Sequence, residues 1–288
     1  DAHRLVTVTG PGGVGKSRLV IDAAWAAVDR FADGVWLVEL ASLADPALVP
    51  SALTNALRIA VAPSEDPLPA LARQLGDRKL LIVLDNCEHV VEATASVLEA
   101  VLSAAPNAHA LVSSQELIGI GGEHVLRLPS LAVPAESNPS ADAALAAGAV
   151  QLFVARARAA DPRFVLDDRT APTVAAICRR LDGIPLALEM AAARVPLLGV
   201  EGLARRLDER FRVLTAGKRT ALPRQRTLHA TLDWSHGLLS APEAAVFRRL
   251  GVFAGPFTLA AAGAVAIGGE RDGVDVIDCL SGLCDKSL

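Results

Sequence analysis

The stretch RLVTVTGPGGVGKSRLVIDAAWAA, Arg4–Ala27, decides how this chain folds. RLVTVTG is an apolar, β-branched run that predicts a strand, and the 3.6-residue spacing of Leu19, Val20, Ala23, Ala24, Ala27 and Val28 predicts a helix from Ser17 to Phe31. Between them GPGGVGKS, Gly10–Ser17, satisfies the full G-x4-G-K-[ST] pattern in the strand-to-helix context that gives the pattern its meaning. Its glycines let the backbone turn tightly enough for the N–H groups of Gly13 to Ser17 to converge on phosphate oxygens, and the positive end of the following helix adds to the attraction. Lys16 is placed to neutralise the terminal phosphates and the Ser17 hydroxyl to ligate Mg²⁺. The candidate nucleotide-binding residues are Gly10, Pro11, Gly12, Gly13, Val14, Gly15, Lys16, Ser17 and Arg18.

A site of this kind needs an acid at the end of a second apolar strand. KLLIVLDN supplies it as Asp85, a candidate magnesium ligand together with Ser17. Asn86 follows, and a carboxamide cannot take a proton from water. Glu88 is the substitute base, or else Glu88 and His89 cap the helix starting near Val90. Lys16, Asp85 and Glu88 form the candidate catalytic set. No Asn-Lys-x-Asp or Thr-Lys-x-Asp segment of the guanine-reading kind occurs, so the expected ligand is ATP or ADP with Mg²⁺.

Outward from the loop, GVWLVEL, KLLIVLDN, HALVSS and HVLRL predict four further strands alternating with helical stretches, the pattern of a parallel sheet with helices on both faces. Proline, serine and acidic residues interrupt this between Leu131 and Gly148. Helical segments follow at AVQLFVARARAAD, TAPTVAAICRRLDG and from Pro185 through LALEMAAARV; proline suits a helix's first turn, where its missing N–H has no partner. AGKRTALPRQR reads as a basic linker, followed by helices at TLHATLDWSHGLL and APEAAVFRRLGVF, a Gly-rich turn, and a last helix at DVIDCLSGLCDKSL. The expected domains are a P-loop nucleotide-binding domain over 1–133, a small helical domain over 145–215 and a partial winged-helix domain over 222–288.

Composition narrows the function classes. The chain of 288 residues is 52% hydrophobic but only 3% aromatic, without tyrosine, which predicts a core of Ala, Val and Leu. A formal charge of −4 carries no global signature of nucleic-acid or membrane binding. No window is apolar enough to span a bilayer and the first residues lack a signal pattern, so a cytoplasmic chain without a membrane partner is expected. Cys87, Cys178, Cys279 and Cys284 read as reduced structural thiols, and Trp25, Trp36 and Trp234, each in an apolar pattern, as core residues. His229 and His236 have helical spacing, but no further metal ligands accompany them.

GPGGVGKSRL, VWLVELASLADPALV, LLIVLDNCEHV, RRLDGIPLALEMAAARV and TLHATLDWSHGLL occur in that order. With them the chain resembles, over essentially its whole length, the nucleotide-binding module of STAND-class AP-ATPases or NB-ARC proteins, in the branch found in bacterial LuxR-type and antibiotic-regulatory (SARP-type) transcriptional regulators. The resemblance implies the three domains above, with the HALVSS strand lying between the P-loop strand and the Asp85 strand. It implies that Pro185, in Gly183-Ile184-Pro185, packs against adenine. It places Gln115 at the γ-phosphate sensor position, where family members usually carry arginine; a neutral donor there gives weaker discrimination between ATP and ADP than a charged one. Family segments expected before Asp1 and after Leu288 are missing, which predicts a piece of a longer chain with its own effector and sensor domains.

The function expected is a switch in a transcriptional regulator. ADP holds the domains closed, ATP releases them for self-association, and hydrolysis is slow. Two alternatives stand beside it. One is DNA binding through Arg205, Arg206, Arg210, Arg212, Lys218, Arg219, Arg224 and Arg226, weakened by Asp208 and Glu209 among those charges. The other is an ordinary turnover ATPase, which would want an acid after Asp85 and a charged residue at position 115.

Overall fold

A computed structural model describes residues 3–62, 65–207, 228–266 and 276–288. The first compact unit comprises residues 1–11, 16–128 and 238–288, and the second residues 12–15 and 129–237.

In the first unit five parallel strands, β1 (Leu5–Thr9), β2 (Val35–Glu39), β3 (Leu81–Asp85), β4 (His109–Ser114) and β5 (Glu123–Arg127), form one sheet in the order β2-β3-β4-β1-β5. β4 therefore lies between the P-loop strand and the Asp85 strand. Successive side chains of a strand point to opposite faces. Val8, Leu81 and Val83 accordingly pack on one face with Val20 and Ala24 of α1 (Lys16–Ala26), while Leu5, Ile82 and Leu84 pack on the other. There they meet α2 (Val49–Ala56), α3 (Pro67–Leu75) and α4 (Val91–Ala104). β3 is buried at all five positions, as its unbroken apolar run requires. Arg4 clamps the end of α4, donating from Nη2 to the carbonyl oxygens of Leu102 and Ala105, each at 2.7 Å.

α1 is shorter than its pattern predicts. It ends at Ala26, and Val28–Arg30 form a separate 3₁₀ turn. Trp25 corrects a sequence expectation: it is 74% exposed. Val20 and Ala24 face the sheet, and the residue after Ala24 is turned about 100° away from that stripe. Trp36 is half-buried against the α2–α4 side, with its ring N–H donating to the Asp33 carbonyl at 2.9 Å.

The second unit is helical: α5 (Ala141–Leu145), α6 (Gly148–Ala160), α7 (Ala171–Arg180), α8 (Pro185–Ala192), α9 (Val195–Arg206) and α10 (Leu228–Gly237). Phe153, Ile177 and Leu188 are its largest fully buried side chains, in a core otherwise built mainly of Ala, Val and Leu.

The chain's last helices, α11 (Ala241–Leu250), α12 (Leu259–Ala266) and α13 (Val276–Asp285), belong to the first unit and share a small core of Val246, Ala266, Cys279 and Leu283. α12 occupies part of the stretch the sequence reads as a Gly-rich turn. Among the described residues of 228–288 there is no strand, and 222–227 and 267–275 lie outside the described residues. None of the four cysteines is in a disulfide; Cys284 is exposed and the other three are buried. Among the described residues no helix is long and apolar enough to cross a membrane.

Candidate functional site

A parallel sheet brings the carboxyl ends of all its strands to one edge, where ligands of open α/β sheets bind. Here that edge carries Gly10 after β1, Asp85 and Asn86 at the end of β3, and Ser114 and Gln115 at the end of β4.

Lys16 opens α1 and its ammonium group folds back over the loop, donating to the carbonyl oxygens of Gly10 at 2.7 Å and Pro11 at 3.2 Å. Ser17 is half-buried beside it. Arg18 is exposed, and its Nε bonds Asp22 one turn further along α1 at 2.8 Å.

Asp85 is buried to 8% exposure, and its Oδ1 accepts a hydrogen bond from the Ser113 hydroxyl. The same hydroxyl accepts from the Asn86 N–H at 3.0 Å, and the Cys87 N–H donates to the Ser113 carbonyl at 3.1 Å. Asn86 has φ of 70°, a left-handed conformation that asparagine tolerates better than most residues, so the chain turns sharply after β3. Ser113 is the residue that motif reading passes over. Its one sequence signal is a hydroxyl directly after the apolar run Ala110–Val112 of a central strand.

Glu88 is 6% exposed, and its Oε2 is buried without a hydrogen-bond partner among the described residues. His89 does not cap α4 as the sequence allows. Its Nε2 lies 3.0 Å from each of the carbonyl oxygens of Leu40 and Leu43, which tie it to the end of β2; both are acceptors, so this nitrogen carries the proton. Burial pushes the Cys87 thiol well above its ordinary range, and the neighbouring Glu88 and Asp85 charges add to the shift. Gln115 is 3% exposed, and its carbonyl accepts from the Ser287 hydroxyl at 2.9 Å.

In the second unit, Gly12, Gly13 and Gly15 are half-buried and Val14 is buried. Gly13 has φ of 79°, and a Cβ on it would stand 2.9 Å from the Leu186 Cβ. The Leu186 N–H, one of the first-turn donors that a helix cannot satisfy internally, donates to the Gly13 carbonyl at 3.1 Å. Pro185, at the first position of α8, is half-buried. Gly183 is compulsory: with φ of 64°, its Cβ would fall 2.0 Å from the Leu131 carbonyl oxygen.

Arg205 and Arg206 of the basic segment are exposed at the end of α9, whereas Arg210, Arg212, Lys218, Arg219, Arg224 and Arg226 lie outside the described residues, as does the His229 side chain. Among the described residues no cluster of three His, Cys, Asp or Glu side chains could hold a metal ion by itself.

The parallel sheet, the order of its strands and the glycine-rich loop opening α1 define an α/β P-loop NTPase fold. No protein-family profile matches the chain. It is 43% identical over 286 residues to "Putative HTH-type transcriptional regulator Rv0890c" of Mycobacterium tuberculosis H37Rv, covering 99% of this chain but only 31% of that protein. It is 39% identical over 286 residues to "Uncharacterized protein Rv0894" of the same strain, covering 99% of this chain and 70% of that one. The chain belongs to the family of Rv0894. Among solved structures it is similar in fold to the Aeropyrum pernix ORC2 protein, with a TM-score of 0.50 and 13% identity over 99% of this chain and 80% of that one.

Proposed function

We propose that this chain is the ATP- or ADP-binding regulatory module of a transcriptional regulator, working as a switch with slow hydrolysis. The observation that carries the reading is the set of groups at the sheet's carboxyl edge: a phosphate-type loop with its lysine, a buried carboxylate held by Ser113, and a second buried carboxylate oxygen, Glu88 Oε2, with no partner among the described residues. An unpartnered buried polar atom is costly, and a ligand's cation or water shell relieves that cost. A nucleotide with Mg²⁺ fits this donor set.

In this reading the N–H groups of Gly13 to Ser17 hold phosphate oxygens and Lys16 neutralises them. Ser17 and Asp85 would hold Mg²⁺, and the bound ion would supply charge neutralisation to the phosphates. Gly10, Pro11 and Gly12 shape the loop, and Arg18 flanks it. Pro185, in the same compact unit as Gly12–Gly15, borders the base. Asn86 cannot accept a proton, and Gln115 presents no cation to a γ-phosphate. Glu88 is the remaining base, so retention of nucleotide outweighs turnover. The chain acts as a STAND-class module of the NB-ARC and LuxR-regulator kind, with domains over 1–133, 145–215 and a winged helix over 222–288. It works in the cytoplasm within a longer chain, and self-associates in its ATP state. Moving such a switch from 1:99 to 99:1 needs about 5.5 kcal/mol of differential binding between its two states.

Denaturing the purified protein and identifying the released nucleotide tests this directly, alongside thermal unfolding with added ADP. ADP at a hundredfold excess over Kd should stabilise the fold by about 2.7 kcal/mol. Absence of both bound nucleotide and any ADP-induced shift would overturn the proposal. Sustained turnover above about 1 s⁻¹ would favour the ordinary ATPase, and salt-dependent retardation of duplex DNA the DNA-binding reading.

A further inference from the structure

A cleft of about 610 Å³ opens on the α2–α4 side of the sheet, toward the carboxyl ends of its strands. Its walls are the 3₁₀ turn Pro46–Leu48, the start of α2, Leu68 in the first turn of α3, the first two turns of α4, and Glu116 after β4. All of these belong to the first unit. The lining includes neither Asp85 nor Lys16, Ser17 or Arg18, so the cleft is a separate place on the same unit.

Its size and surface suit a small organic molecule. Small-molecule sites are concave and mostly apolar, of roughly 300–1000 Å³, with a few polar groups that fix the ligand. Pro46, Pro50, Leu68 and Val97 supply the apolar wall, and the two prolines, each with φ fixed by its ring, stiffen it. The carboxylates Glu88, Glu92 and Glu116 also line the cleft, and among the described residues no lysine or arginine does.

Two of those carboxylates are accounted for without a ligand. Glu92 stands in the first turn of α4, where the helix's positive end favours an acid. Glu116 lies 3.8 Å from the Lys286 ammonium, which donates its shorter bond, 2.8 Å, to Glu243. Glu88 is different: it is 6% exposed, and its Oε2 has no hydrogen-bond partner among the described residues. A buried acceptor left unsatisfied is costly, and more so when it carries charge. The last torsion of a glutamate is soft, so Glu88 can turn either oxygen toward the cleft. The carboxylates also feel one another. Burial pushes the Glu116 carboxyl above its usual range, Lys286 opposes that shift, and the Glu243 and Glu88 charges reinforce it.

We propose that this cleft binds a small organic cation, an amine or guanidine on an apolar body, with its head group on Glu88 beside Glu116 and its body against Pro46, Pro50, Leu68 and Val97. An N–H of such a head supplies the hydrogen bond that Glu88 lacks, and its charge offsets the crowded carboxylates. Charge-assisted bonds of this kind are about twice as strong as neutral ones. A bare metal ion fits worse, since among the described residues no three His, Cys, Asp or Glu side chains are grouped to hold one. An anion would meet like charge. Only Glu88 is shared with the nucleotide site proposed above.

The test is isothermal titration calorimetry with tryptamine and phenylguanidine, each beside its neutral isostere, tryptophol and phenylurea, into wild type, Glu88→Gln and Ser96→Trp. We expect each cation to bind at one site at least about tenfold tighter than its isostere, the low end for a hydrogen bond to a charged group. Glu88→Gln should erase that preference. Ser96 is exposed on the cleft wall, so Ser96→Trp places an indole in the cleft without touching a carboxylate. It should weaken the cations at least about tenfold, and it decides the matter if Glu88→Gln fails to fold. Binding of the cations should persist in saturating magnesium-ADP. Equal affinity for cation and isostere, cation affinity unchanged in both variants, displacement by magnesium-ADP, or no saturable binding of either cation overturns the proposal. ADP titrated into the same preparation is read separately: its failure to bind overturns the nucleotide reading and leaves the cleft standing.

Discussion

Asp85 owes its placement to Ser113, whose hydroxyl donates to the carboxylate and accepts from the next residue's N–H. Ser113→Ala strands both groups in a buried setting, and leaving a buried polar group unsatisfied costs about 1–3 kcal/mol. Urea unfolding should show a loss in that range, together with weaker magnesium-dependent nucleotide binding. The thiols give a second prediction at this scale. Burial pushes Cys178 up to about 12, partly opposed by Arg179, while Cys284 is exposed. In the native protein a thiol reagent should therefore label Cys284 quickly and the other three only on unfolding, as mass spectrometry of labelled peptides would report. A thiol whose pKa is raised by folding adds stability that is full below its unfolded value of about 8.5. That contribution is lost as pH rises toward about 12, so alkaline unfolding should start earlier in wild type than in Cys178→Ala, once the stability lost to the smaller side chain is taken into account.

Among the elements, the connection from α7 to α8 is tightly constrained at Gly183. Gly183→Ala would drive a methyl group into the Leu131 carbonyl at a left-handed position, and should cost at least about 2 kcal/mol, read by chemical denaturation. Ser240→Ala should cost about 0.5–2 kcal/mol through the lost cap of α11. The central strand β3 was legible because a strand buried on both faces reads as a near-unbroken apolar run, as LIVL before Asp85 shows, whereas the edge strand β5, EHVLR, carries polar residues. α12 was not legible: LAAAGAVA has no polar face to mark a helical period, and the glycines around it read as a turn. Trp25 was misjudged because an apolar residue one step off a helix's buried stripe looks the same in sequence as one within it.

At the scale of the whole molecule, Lys16→Ala should abolish the stabilisation by ADP while leaving the unliganded fold close to wild type, since the lysine donates to two carbonyl oxygens of its own loop. Differential scanning calorimetry with and without ADP measures both. The sequence alone determined the phosphate-type loop, the acid ending β3 and the alternation that makes a parallel sheet, because each depends on residues close together in the chain. Tertiary structure decided the rest. Ser113 meets Asp85 across 28 positions, Lys286 meets Glu243 across 43, and Ser287 meets Gln115 across 172. No local pattern encodes such pairs, because they exist only once the sheet aligns its carboxyl ends and α13 packs against the same unit.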